Sequence, residues 1–353
     1  MNAKKRCLIS VLLLTAALCT IALNGVAAGA EKESSYKLIK KIPIGGDGGW
    51  DALAVDSSTQ RCYISHQTHV VVFDTAKEKV IGDINNTPGV HGIAIAPKRN
   101  KGFISNGGDN SVTVFDLATL KETSRIKVGN RPDAIMFDQM TNRVFVFNGG
   151  SSDCSVIDAN SNKLLGTIPL GGKPEFAESD EKGQVFVNIE DTSEIAAIDA
   201  VKMTVTKRWP LAPGEEPSGL AIDRRNNRLF SVCSNGKMVI SDYTTGKVIA
   251  TAEIGKGPDG AGFDPQAGLA FSSNGQDGTL TVVKEETPGQ FKVVETVSTA
   301  PMARTMTLDM KTHLVYLVTA KLKAPAAGEV QGGRRRNFEP GSFELLIVGP
   351  SQK

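Results

Sequence analysis

The sequence predicts an all-β fold: a seven-bladed β-propeller, its ring closed by the N-terminal strand pairing into the last blade. Three observations carry this prediction. A strand-and-turn unit recurs seven times, each unit holds four short strands, and a segment before the first unit has the pattern that the last unit lacks.

The unit is clearest in Arg131–Asn148 (RPDAIMFDQMTNRVFVFN). A Pro opens a short strand, Asp138 starts a turn, Arg143 restarts a strand and Asn148 closes it. The residues ending the first strand of successive units are Asp56, Ala96, Asp138, Asp180, Asp223, Asp264 and Asp309. Their spacings are 40, 42, 42, 43, 41 and 45 residues. A near-constant period of this size marks a repeat architecture. Second strands follow the turns, as in Gly102–Ser105, Val144–Phe147 and Leu229–Val232. Third strands end in Asp74, Asp116, Asp158, Asp199 and Asp242, and fourth strands often close with Gly, as at Gly129, Gly171 and Gly255. β-Branched and aromatic runs between Gly, Asn and Asp are strand-and-turn chemistry. No segment sustains a helical period. Four strands about every 42 residues make one propeller blade. The seventh unit stops after Phe343–Val348, whereas Tyr36–Ile44 (YKLIKKIPI) reads as a fourth strand. That segment should complete blade 7, since an open ring leaves unpaired strand edges.

The chain has 353 residues, compatible with one repeat array. Residues 1–30 read as a signal peptide. Lys4, Lys5 and Arg6 precede the uncharged apolar run Cys7–Leu23, and Ala28-Gly29-Ala30 offers a small-x-small cleavage site before Glu31. The expected location is therefore periplasmic or secreted, with no stable membrane insertion after cleavage. Residues 31–353 read as a single propeller domain, with a loop insertion at 320–342 in blade 7. Without the leader, 37 Lys and Arg face 38 Asp and Glu. Near-neutrality gives no broad attraction for nucleic acid, so none is expected as a partner. A monomer is expected. Cys62, Cys154 and Cys233 fall in different units and read as free, buried small hydrophobes.

Units such as Gly183-Gln184-Val185-Phe186-Val187-Asn188, followed by a strand ending Ile198-Asp199, resemble YVTN-type propeller repeats. Over residues 35–349 the chain is similar to the YncE-like secreted propellers. It departs from that pattern at Gly45–Gly49 before Trp50 and at residues 320–342. The resemblance implies the fold and export. It leaves the activity open, because such propellers include binding proteins, surface-layer components and enzymes.

In a propeller the first strand of each blade lines the central channel. Five residues before each anchor the side chain should point at the channel mouth. Those residues are Asp51, His91, Asp133, Glu175, Ser218, Asp259 and Arg304. Ends of second strands, among them His66, Asn106, Asn148, Asn188, Asn274 and Thr319, are expected on the same face. Trp50, beside Asp51, reads either as a ligand-stacking ring or as a wedge between blades. Converging carboxylates repel, so some pKa values rise or a cation compensates. The chemistry admits a divalent metal on Asp51, His91, Asp133 and Glu175; no other cofactor motif is present. The insertion, with Arg334-Arg335-Arg336, reads as a disordered loop or as a cationic lid over this face.

Three functions fit. The first is an exported propeller that binds a small ligand or protein partner on the mouth face without catalysis. The second is a lyase or lactonase-like hydrolase using ring carboxylates with a His or divalent metal. The third is a cell-surface structural module. The sequence lacks phosphate-cradling, haem-binding, HExxH and GxSxG motifs.

Overall fold

The computed structural model describes residues 35–323 and 338–351. The signal-peptide reading of residues 1–30, the start at Glu31 and the Arg334–Arg336 run lie outside the described residues. The described chain forms seven four-stranded antiparallel sheets. Among the described residues its only helical element is a single 3-10 turn, Pro97–Arg99.

Each blade starts with an inner strand: Trp50–Asp56, Val90–Ala96, Pro132–Asp138, Pro174–Ser179, Pro217–Asp223, Pro258–Asp264 and Met306–Asp309 for blades 1 to 7. Neighbouring inner strands touch in cyclic order, and the first touches the seventh, so the ring closes. The anchor carboxylates explain why the period is visible in the sequence. Asp56 accepts hydrogen bonds from the Ser58 amide and hydroxyl, Asp138 from Thr141, and Asp264 from the amides of Gln266 and Ala267. Side-chain capping of the inner hairpin turn favours Asp at that place in each repeat.

Blade 7 pairs Tyr36–Pro43 with Glu344–Pro350, in register from Tyr36 opposite Pro350 to Pro43 opposite Glu344. The Tyr36 ring is buried and lies 5.0 Å from that of Phe271 in blade 6. Other fourth strands end sooner than the sequence suggests: at Lys127 rather than Gly129, at Pro169 rather than Gly171 and at Glu253 rather than Gly255. Those glycines lie in the connections to the next blade. Blade 6 departs from the repeat, with third and fourth strands Thr279–Thr287 and Gln290–Ser298 each nine residues long.

The apolar side chains form seven clusters, one at each blade interface. Tyr63, Val70 and Val72 of blade 1 meet Ile104 and Phe115 of blade 2. Corresponding seams join blades 2 and 3, 3 and 4, 4 and 5, 5 and 6, 6 and 7, and 7 and 1. Each blade is therefore apolar on both faces, unlike a sheet with one solvated side. Cys62, Cys154 and Cys233 are buried and free. Cys62 lies in the seam of blades 7 and 1, Cys154 in that of blades 3 and 4, and Cys233 in that of blades 4 and 5.

Two expectations follow. Deleting residues 35–44 exposes the edge of Glu344–Pro350 and strips Tyr36 and Leu38 from one seam and Ile42 and Ile44 from the next, so the protein should lose soluble expression or melt far lower. Tyr36→Ala alone should cost about 3 kcal/mol, by analogy with other large-to-small core changes. A deletion variant as stable as the parent, in a thermal melt, rejects the closing role. Thiol titration of unfolded, unreduced residues 35–351 should count three, because a disulfide needs Cα atoms about 5.5 Å apart.

Candidate functional site at the channel mouth

All seven inner strands begin with a buried residue: Met306 in blade 7, and Trp50, Val90, Pro132, Pro174, Pro217 and Pro258 in the other six. The next residue turns toward the channel. These second residues are Asp51, His91, Asp133, Glu175, Ser218 and Asp259, and Arg304 takes the place in blade 7 just ahead of Met306. All seven are part-exposed.

The structure links six of them into a chain that crosses six blades. Ser218 Oγ donates to Asp259 Oδ1 at 2.5 Å. Arg304 pairs with Asp259 through Nη1, and with Asp51 Oδ1 (3.2 Å) through Nη2. Asp51 Oδ2 meets His91 Nδ1 at 2.5 Å, and Asp133 Oδ1 lies 3.6 Å from the same nitrogen. Glu175, in blade 4, stands apart from this chain. It takes Lys173 Nζ at 2.8 Å, and Lys173 also pairs with Glu190. Of the four residues considered as metal ligands, Asp51, His91 and Asp133 converge; Glu175 is not in that group.

The strand backbones beneath the ring are fixed from neighbouring blades. The carbonyl of Asp51 accepts from Thr305 Oγ1 (2.6 Å), that of Asp133 from Ser105, that of Ser218 from Asn188 Nδ2 (3.0 Å) and that of Arg304 from Ser273 Oγ (2.5 Å). Glycines then leave room for the two largest side chains. A Cβ on Gly107 would lie 2.8 Å from His91 Nε2, and one on Gly275 would lie 2.6 Å from Arg304 Cβ.

Charge and burial set the proton affinities. Burial pushes the Asp51 carboxyl up, but the His91 hydrogen bond and the Arg304 charge outweigh it and leave it below the usual carboxylate range. Asp133 is pushed up to about 6 by burial and by Asp51, with His91 offsetting part of this. Glu175 is pushed up to about 8 by burial and then by Asp133, against the opposing pull of Lys173. For His91, burial disfavours the cation, yet Asp51 and Asp133 together raise its proton affinity.

Two sequence expectations are corrected. His66 does not reach the mouth. It is buried and stacked on Phe343 with ring centroids 4.2 Å apart, and burial together with His69 pushes its pKa down to about 4. Ends of second strands point into the blades, and the Asn side chains there serve as braces: Asn106 bonds Ser111 and Thr113, Asn274 bonds Thr279 and Thr281, and Asn148 bonds Asp153 and Ser155. Trp50 is a wedge. It is buried against Phe338 and Phe343, offering the mouth only its carbonyl, which accepts from Arg304 Nη2 at 3.2 Å. The base of the insertion is tied by the Leu322–Phe338 bridge and by Lys321 N to Ser342 Oγ at 3.0 Å. Sequence reasoning missed Lys173, Glu190, Thr305 and the stitching serines. The available signal was a basic residue two places before an acidic ring residue, Lys173 before Glu175.

No known family profile matches the chain, and no curated protein sequence matches it. Among solved structures it is similar to Kuenenia stuttgartiensis hydrazine synthase. The TM-score is 0.67 at 18% identity, over 77% of this chain and 92% of that one. At that identity the likeness supports the fold alone.

The ring's coupling has a pH signature. Unfolded, Asp133 and Glu175 release protons near their ordinary values of 3.8 and 4.5; folded, they do so at about 6 and about 8. Between those limits the folded state holds more protons, so these groups make stability fall as pH rises from about 4 to 8. His91 acts in the same sense: its contribution is full below 6.5 and fades as pH climbs through its raised value. Asp51 opposes them, since its contribution is present above 3.8 and lost on acidification. Asp133→Asn should therefore raise the melting temperature at pH 8 but not at pH 4. The gain is on the order of 1 kcal/mol, discounted because Asp133 is one-third exposed. Arg304→Ala should cost about 2 kcal/mol at pH 8 by leaving Asp259 and Asp51 without their cation. If both variants melt like the parent at both pH values, the ring charges are uncoupled.

Proposed function

We propose that this chain is an exported seven-bladed propeller that binds a small ligand or partner group carrying positive charge at its channel mouth, without catalysing a reaction on it. One observation carries the reading. Four carboxylates, Asp51, Asp133, Glu175 and Asp259, share the mouth with two fixed cations, Arg304 and Lys173, and Glu190 adds a further negative charge beside Lys173. A confined site of one sign concentrates ligands of the other, because field lines are focused by low-dielectric walls. Two further points support export and binding: the leader-like residues 1–30, and the similarity of the repeats to YVTN-type, YncE-like secreted propellers. The cell-surface structural reading draws on no feature of the mouth. The lyase or lactonase-like reading uses the same carboxylates with His91 as acid or base.

The test is a thermal-shift screen at pH 8 with diamines, guanidinium compounds and cationic peptides. Binding to the native state raises the melting temperature, by about 2.7 kcal/mol of stabilisation at a hundred times Kd. A compound from this set should stabilise the parent and lose its effect in an Asp259→Asn/Glu175→Gln variant. Equal shifts in parent and variant across the whole set reject the mouth as the binding site. Consumption of the bound compound during incubation replaces the non-catalytic reading with the enzymatic one.

A further inference from the structure

We propose that Asp51, His91 and Asp133 form a binding site for a divalent first-row transition-metal ion, with Zn2+ as the representative probe. The inference deepens the proposed function, since it places a particular class of cation in one part of the same mouth.

The donor geometry comes first. One oxygen of each carboxylate and one imidazole nitrogen lie within 4.8 Å of one another. Donors of a tetrahedral zinc ion, each about 2.0–2.1 Å from it, stand about 3.4 Å apart, so small rotamer changes seat all three. His91 Nδ1 is the common vertex, 2.5 Å from Asp51 Oδ2 and 3.6 Å from Asp133 Oδ1. A metal ion there would replace the proton that now bridges His91 and Asp51.

The ring orientation is fixed independently of those contacts. Gly107 lies against the Cδ2–Nε2 edge of His91, where any Cβ would approach to 2.8 Å. Only a glycine leaves that space, and the imidazole fills it with its Nδ1 edge turned toward the two carboxylates. The supporting shell is equally built. Asp51 is held at its amide by Ser65 Oγ (2.8 Å) and at its carbonyl by Thr305 (2.6 Å). Ser105 accepts from the amide of Gly92, next to His91, at 2.8 Å and donates to the carbonyl of Asp133. One hydroxyl thus couples two of the three ligand backbones. Such outer-shell bonds are what hold metal ligands at a fixed spacing.

The charges select the ion. Arg304 occupies Asp51 Oδ1 and pairs with Asp259, which leaves Oδ2 facing His91. Two carboxylates and a neutral imidazole suit a borderline divalent ion better than Ca2+ or Mg2+, which prefer all-oxygen shells. His91 is 37% exposed in its side chain, so solvent or a ligand group can complete the coordination sphere. The metal would then present an open position at the mouth for an anionic or neutral donor of a ligand.

The test uses metal-stripped protein of residues 31–353 and ZnCl2 alone, followed by isothermal titration and thermal melts at fixed pH. The parent should bind one Zn2+ per chain and melt several degrees higher, with little response to Mg2+. His91→Gln and Asp133→Asn should each weaken binding by at least roughly tenfold. Their folds are checked by melts without metal. His69→Ala, which removes a part-exposed histidine outside the cluster, should bind like the parent. Absence of one-to-one binding in the parent, or binding lost in His69→Ala and retained in His91→Gln, overturns the proposal. If organic cations still stabilise the parent through Asp259 and Glu175 while Zn2+ does not bind, the metal site falls and the mouth reading stands.

Discussion

Everything in this molecule depends on the seven apolar seams between blades. Among the described residues no central core is shared by the strands; the channel is lined by polar residues at its mouth, and the buried mass sits between neighbouring sheets. Each fully buried Phe or Ile side chain contributes about 1.5–3 kcal/mol. Exposed ion pairs such as Lys40–Glu78 and Lys292–Glu286 contribute about 0–1 kcal/mol each. The seams therefore outweigh the surface charges, and a blade is stable only while both neighbours are in place. That is why the strand before blade 1 is built into blade 7. Without Tyr36–Pro43 the seam against Phe271 and Val297 loses Tyr36 and Leu38.

The same constraint makes the mouth. Packing seven twisted sheets side by side brings seven strand starts to one opening, whatever residues they carry. The hydroxyl and amide stitches from Ser105, Asn188, Ser273 and Thr305 then fix those starts relative to one another. Functional side chains are thus held by rigid elements whose stability comes from elsewhere. Exchanging Asp259 or Ser218 changes what the opening attracts without touching a seam.

The fold was legible because each unit needs an acceptor at its first turn, and Asp at six of seven anchors prints the period into the sequence. The ring residues were legible for a related reason. A fixed offset from a fixed turn lands on the same strand position in every blade. Directions at the far end of the second strand were not legible. His66 and Asn106 occupy equivalent places, yet whether such a residue meets solvent or the blade interior depends on strand twist and on the neighbouring seam. Phe343, which stacks on His66, comes from the other end of the chain. Trp50 was ambiguous for the same reason, since its partners Phe338 and Phe343 lie almost 300 positions away. Lys173 was missed because its role depends on Glu190, which arrives from the turn after the second strand of the blade.

Charge around the ring is uneven, and this shapes what the mouth can do. On the side of blades 6, 7 and 1, Arg304 lies between Asp259 and Asp51 and neutralises much of both. On the side of blades 2 to 4, among the described residues no fixed cation contacts Asp133, which meets His91, and Lys173 is shared between Glu175 and Glu190. Two unit charges about 4 Å apart interact by roughly 4 kcal/mol at an effective dielectric constant of 20, so this imbalance is large on the scale of single contacts. Burial pushes all three carboxyls up, and the imbalance explains why the rise survives in Asp133 and Glu175 but is outweighed in Asp51. The negative field of the mouth is therefore concentrated over blades 2 to 4. On the proposed reading, a cation entering the channel would be drawn to Asp133, where His91 and Asp51 supply further donors, and away from the blades that Arg304 already neutralises.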